Sequence, residues 1–388
     1  MSGETTSRAI PTATLIVLAT VGLFACAPQA RSGVIILPPC PESDPNPTTI
    51  RWEHHGRPIS KDTPVVLVFH GGPGGAPPGI AGSPFWRALA REVSLILYHQ
   101  RGTGLSAPLT GRAAPPESAD CYRMAILAED AEHVADELLP PHRRVFVLGV
   151  SFGAQLATLF ALHNHERVAG VILVAPAADH RWISKQPRHM IRALRRLAAP
   201  SRAATRGLDR VLAGSDVCPG WQTPAAVLRL GGEYGYTRRN QARVQAALAT
   251  LGDEGDSAPL CALLGPPPAS RRPRGEMVEP SLSSPAQFRT VACRELGWAE
   301  VSSANCESVG PELARFDIRD RLHEIRAPAL VLSSRYDPIV PPELTDEFFM
   351  LLGGPGTLVR MNTAGHLILR EEPGRSLDAV RQFIGSHP

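Results

Sequence analysis

The apolar positions of this chain gather into short unbroken runs. Residues 64–69, 93–98, 145–150, 168–175, 327–334 and 356–361 are each of strand length and almost wholly apolar. Strands that are apolar on both faces belong to a mostly parallel sheet covered by helices on either side. Helical stretches fill the gaps, with an amphipathic segment over 125–139 and an Ala- and Leu-rich one beginning at 152. Residues 48–54 alternate and predict an early strand. The class expected is α/β.

Two regions break this rhythm. Residues 181–321 are rich in Arg, Ala, Pro and Gly, carry helical patches at 190–197, 237–251 and 285–296, and contain no core strand. We read them as a helical cap inserted over one edge of the sheet, with 264–275 an exposed loop. The first part of the core then spans 48–180 and the second 322–388. At the other extreme, residues 1–25 have the proportions of a signal peptide, with a short polar start followed by an apolar run over 15–25. The run ends Leu23-Phe24-Ala25-Cys26, which resembles a bacterial lipobox in which Cys26 is acylated. The expectation is an exported protein, anchored through Cys26 and facing the periplasm or exterior, or otherwise secreted after cleavage nearby. Residues 26–47, dense in proline, are expected to form a tether.

Composition narrows the picture only slightly. A hydrophobic fraction of 43% and a net charge of +3 over 388 residues suit an ordinary globular chain. No basic stripe interleaved with aromatics supports nucleic-acid binding. Seven cysteines matter more. Setting Cys26 aside leaves an even number, their spacings do not resemble zinc sites, and an exported chain would pair them. The count leaves the connectivity open; we favour Cys40–Cys121, Cys218–Cys261 and Cys293–Cys306.

Candidate chemistry collects where predicted strands end. The strand at 145–150 runs into Gly149-Val150-Ser151-Phe152-Gly153 and then a helix, the pattern of a nucleophile elbow. A serine in so sharp a turn needs small residues two positions to either side, because larger ones would strike the neighbouring strand and helix. The following helix aims its free N–H groups and positive dipole end at the same point. Two glycine-rich loops follow other strands: His70-Gly71-Gly72-Pro73-Gly74-Gly75 and His99-Gln100-Arg101-Gly102-Thr103-Gly104. Asp337 and His366 each follow a later strand, 29 residues apart, with room between them for one helix and one strand. Ligands bind such sheets at the carboxyl ends of their strands, so all these signals point to one edge.

The order Ser151, Asp337, His366 is that of the α/β-hydrolase catalytic triad. In that reading His366 takes and returns the Ser151 proton, Asp337 fixes its tautomer, and the Gly72 and Phe152 N–H groups form the oxyanion hole. His70 is expected to support its loop by hydrogen bonds. Taken singly, each residue has a plainer role: Ser151 as a helix cap, Asp337 as a turn former before Pro338, His366 as a surface residue.

Together, His70–Gly75, Gln100–Ser106, Gly149–Gly153, Tyr336-Asp337 and Gly365-His366 resemble the proline iminopeptidase family of serine aminopeptidases. The likeness covers roughly 48–180 and 322–388. In the cap, Val291-Ala292-Cys293-Arg294-Glu295 is similar to a segment of exported, disulfide-bearing relatives that release N-terminal residues or short peptides. The family has Asp where this chain has His99, a departure that bears on a contact behind the site.

The resemblance implies cleavage near a free peptide N-terminus, with a cap carboxylate holding the substrate ammonium. Glu295 is the first candidate for that anchor and Glu233 the second, though either could be a solvated surface carboxylate. No metal or other cofactor is implied, and the partner expected is a small peptide or ester substrate. The membrane enters only through the lipid anchor. The alternatives are an esterase or lipase-like enzyme using the same triad, and a catalytically silent hydrolase fold serving as a binding module.

Overall fold

The computed structural model describes residues 31–38, 40, 48–106, 121–179, 181, 186–214, 217–233, 235–267 and 316–387. Its centre is an eight-stranded sheet of β1 (Arg31–Leu37), β2 (Thr48–Gly56), β3 (Val65–Phe69), β4 (Ser94–Tyr98), β5 (Val145–Val150), β6 (Val168–Val174), β7 (Ala329–Ser334) and β8 (Gly356–Met361). The spatial order is β1-β2-β4-β3-β5-β6-β7-β8. β1 and β2 pair antiparallel, as do β2 and β4, and every later pairing is parallel. This is the α/β-hydrolase architecture expected.

The unbroken apolar runs became the central strands for a direct reason. Every residue of β3, β4 and β7 is buried, so neither face could carry polar side chains without desolvating them. Around the sheet, α1 (Pro84–Leu89), α2 (Met124–Leu138) and α3 (Phe152–His163) connect its first half. α3 is buried along nearly its whole length and packs against β5 and α2.

Between β6 and β7 the described residues are helical: α4 (Gln186–Ala198), α5 (Arg202–Leu212), α6 (Thr223–Leu228), a π turn (Arg229–Glu233), α7 (Arg238–Glu254) and α8 (Ala258–Leu264). Ser201 and Thr237 cap α5 and α7 by accepting the N–H groups of Ala204 and Asn240. After β7 come α9 (Pro342–Leu351), β8, α10 (Ile368–Glu371) and α11 (Pro373–Ser386). The patches expected at 190–197 and 237–251 lie within α4 and α7, whereas α5, α6 and α8 had not been anticipated. The patch at 285–296 falls outside the described residues, as do residues 1–30 with Cys26.

One boundary is corrected. Residues 26–47 are not a tether throughout, since Arg31–Leu37 is an edge strand paired along its length with β2. Ile35 and Leu37 turn into the core while Val34 and Ile36 stay exposed, so one face of a short apolar run is enough to hold it. The prolines after Leu37 had masked this signal.

Two of the expected disulfides are formed, Cys40–Cys121 and Cys218–Cys261, with Cα atoms 5.6 and 5.5 Å apart. Cys293 and Cys306 lie outside the described residues. Such bonds are the chemistry of an oxidising compartment, extracellular or periplasmic. Among the described residues no helix is long and apolar enough to cross a membrane.

Candidate active site

Ser151 stands between β5 and α3 with φ 54° and ψ −121°, a backbone state that L-residues rarely adopt. Its flanking glycines are required by contact. A Cβ on Gly153 would lie 2.1 Å from the Phe69 carbonyl oxygen, and one on Gly149 would lie 2.4 Å from that of Gly153. The elbow is further fixed by the Ser151 N–H, which donates to the Val174 carbonyl at 2.8 Å.

The other two residues converge on it from later strands. His366 Nε2 is 3.0 Å from Ser151 Oγ, and His366 Nδ1 is 2.7 Å from Asp337 Oδ2. Ser151, Asp337 and His366 are 5%, 1% and 6% exposed, so these three side chains are shielded from bulk water. The second Asp337 oxygen accepts the N–H groups of Ile339 and Val340 at 2.8 and 3.0 Å. Three donors thus hold the carboxylate in one orientation. An imidazole between it and a hydroxyl can accept the hydroxyl proton and return it.

The loop after β3 runs beside the elbow, where a Cβ on Gly71 would come within 3.6 Å of the Ser151 Cβ. Gly72, the next residue of this loop, has φ +152°, and Phe152 opens α3 directly after the serine. Behind the loop, the Gln100 N–H reaches His70 Nε2 at 3.3 Å, and Gln100 Nε2 donates to the His70 carbonyl at 2.9 Å. Since His70 Nε2 must accept, the proton sits on Nδ1 and is donated to the Gly71 carbonyl at 2.9 Å. Burial drives the His70 pKa down to about 4, so the ring supports this loop as a neutral imidazole.

The neighbouring loop is anchored by a pair absent from the sequence reading. Arg101 grips Asp130 of α2 through Nε and Nη2 at 3.0 and 2.6 Å, and Nη1 reaches Thr48 Oγ1 at 3.2 Å. Desolvation pushes the Asp130 carboxyl above its usual range despite the guanidinium. The clue was an acid between Leu127 and Val134 on the apolar face of an amphipathic helix. His99 receives the Leu105 N–H on Nδ1 at 3.2 Å and faces Glu53 at 3.5 Å, so a polar contact persists where the family has Asp.

A further residue missed from sequence is Tyr236, whose ring stands edge-on to His366 at 5.3 Å and is 38% exposed. Nothing in its local sequence marked it. The two anchor candidates cannot be placed: Glu295 lies outside the described residues, and Glu233 ends the π turn with a side chain that does as well. Among the described residues no cluster of His, Cys, Asp or Glu could hold a metal ion.

Comparison with known proteins bears on the fold and the family. The chain is 30% identical over 135 residues to a proline iminopeptidase of Aeromonas sobria, a match covering 31% of this chain and 32% of that protein. It thus spans about a third of the length of that curated relative. Among solved structures, the proline iminopeptidase of Mycobacterium smegmatis superposes with a TM-score of 0.57 at 20% identity, covering 92% of this chain and 98% of that one. VinJ superposes at 0.54 and 16% identity, covering 92% and 99%. Identities this low speak for the fold alone. The match that decides membership is to the α/β hydrolase fold family, and it runs over residues 64–373, from the start of β3 to the first residue of α11. With that span enclosing the elbow, both glycine-rich loops, Asp337 and His366, the chain belongs to the α/β hydrolase family.

Proposed function

We propose that this hydrolase is an exported serine aminopeptidase that releases N-terminal residues or short peptides through an acyl-Ser151 intermediate. The observation that carries the reading is the bridge made by one imidazole, 3.0 Å from the Ser151 hydroxyl and 2.7 Å from the Asp337 carboxylate. Ser151 Oγ attacks the scissile carbonyl as its proton passes to His366 Nε2. Negative charge on the carbonyl oxygen is met by the Gly72 and Phe152 N–H groups and by the N-terminal end of α3. His366 then gives its proton to the departing amine, and water repeats the sequence to free the acyl group. Asp337 orients the ring and stabilises the imidazolium.

The peptidase choice is supported by the motifs shared with proline iminopeptidases and by the partial match to one of them. A bound ammonium would need a desolvated carboxylate at a fixed distance from Ser151, and Glu295 and Glu233 remain the candidates. Export is supported by the leader-like residues 1–25 and by the two disulfides. A lipid on Cys26 would then be the membrane attachment.

The test pairs aminoacyl anilides bearing free and blocked amines. Turnover that needs the free amine and disappears in Ser151→Ala supports the proposal. Turnover of simple acyl esters alone would assign an esterase, and activity surviving Ser151→Ala would remove the mechanism.

A further inference from the structure

The helices inserted between β6 and β7 reach the site through residues 235–241, which lie against both later loops. The Tyr236 carbonyl accepts the N–H groups of His366 and Leu367 at 2.9 and 3.3 Å. Gln241 is 5% exposed, and its Nε2 donates to the carbonyls of Gly235 and Tyr336, each at 2.8 Å. Tyr336 is the residue before Asp337. Gln241 Oε1 accepts from Arg238 Nη1 at 2.5 Å, and that guanidinium lies 3.7 Å above the Tyr336 ring. From the opposite side, Glu371 takes the Arg238 N–H on Oε1 and the Gly365 N–H on Oε2, both at 2.7 Å.

The fit is backbone-close. A Cβ on Gly365 would lie 2.7 Å from the Tyr236 carbonyl oxygen, and one on Gly235 would lie 2.5 Å from the Pro338 ring.

Asp337 and His366 ride on loops from different strands, β7 and β8. Besides the bond between the Asp337 and His366 side chains themselves, Ser334 Oγ ties those loops by donating to the Ala364 carbonyl. The segment 235–241 bridges them again, and it belongs to neither strand.

We propose that residues 235–241 are a strut that sets Asp337 and His366 against each other, with Gln241 and Glu371 as positioning residues, so that seating of the inserted helices governs the competence of Ser151. The inference rests on the triad reading above and adds a means of regulating it. Anything that lifts the insertion from the sheet edge pulls on the acid loop through Tyr336 and on the base loop through Gly365. A displacement of about 1 Å at reacting atoms costs on the order of a hundredfold in rate.

Two variants of nearly unchanged shape test it. Gln241→Glu sets an oxygen against the two carbonyls that Nε2 now serves. Glu371→Gln replaces one of the two acceptors. Each is assayed, at a temperature where circular dichroism shows it folded, for its labelling rate with a small fluorophosphonate and for kcat and KM on an aminoacyl anilide.

Labelling and kcat are expected to fall on the order of ten- to a hundredfold, with KM changed by less than about threefold. Folded variants that label at the parental rate, or whose loss is confined to KM, overturn the strut. Arg238→Met frees Gln241 without placing a charge in the interior, and should slow labelling about fivefold, the worth of one hydrogen bond. A parental rate there overturns the proposal even if the buried variants do not fold. An unsubstituted chain that fails to label sinks the triad reading and the strut together, whereas a labelled parent with unaffected variants sinks only the strut.

Discussion

Replacing Asp337 by asparagine separates what the carboxylate does for the fold from what it does for the histidine. Its Oδ1 accepts two backbone N–H groups, from Ile339 and Val340, and its Oδ2 faces His366 Nδ1 at 2.7 Å. The backbone donors require an oxygen, so the asparagine must turn its NH2 group toward the ring. Nδ1 then becomes an acceptor, and the ring proton moves to Nε2, where it points at Ser151 Oγ 3.0 Å away. A histidine in that tautomer cannot take the serine proton.

The loss expected is about 10⁴-fold in kcat, roughly 5 kcal/mol of barrier. Both backbone bonds survive, so the thermal midpoint should move by no more than about 1–2 °C, what ~1 kcal/mol amounts to in a chain of this size. The assay is the second-order rate of fluorophosphonate labelling, with anilide turnover beside it and a melting curve on the same preparation. A folded Asp337→Asn chain labelling within tenfold of the parent would refute the tautomer reasoning.

Three further outcomes follow from the structure. His70 is held neutral by burial with a pKa of about 4 against an ordinary 6.5, so between those values the unfolded chain binds a proton that the folded chain refuses. Stability should therefore fall on acidification through that window, by about 3 kcal/mol in all, and no further below it; urea unfolding of the parent and His70→Gln compared at pH 7.5 and pH 4 checks this, and equal pH dependence would contradict it. The Cys40–Cys121 bond closes a loop of sequence separation 81, so replacing both cysteines by serine should cost about 4–5 kcal/mol in the chain-entropy account, read from denaturant midpoints. Gly153→Ala drives a Cβ into the Phe69 carbonyl and should cost about 3 kcal/mol together with loss of labelling, while Gly79→Ala, where nothing lies within 4 Å of the new atom, should leave both unchanged.

The sequence by itself determined the parts whose signal is local. Buried strands must be apolar on both faces, so β3 to β7 stood out as unbroken runs. A serine elbow must have small neighbours, so Gly149 and Gly153 announced Ser151. Asp337 and His366 were legible because each directly follows such a strand, and strand ends on one edge of a parallel sheet are brought together by topology alone.

Contacts between distant segments were not legible, because their partners have no local pattern. Only the folded chain showed that Asp130 neutralises Arg101, and that Arg31–Leu37 pairs with β2 where a tether had been expected. It also decided that Gln241 and Glu371 bind the loops bearing Asp337 and His366. A hydrogen bond of 2.7 Å across 133 residues of chain, or of 2.8 Å across 95, is set by packing, which positions both partners at once, and no stretch of sequence near either partner encodes the distance.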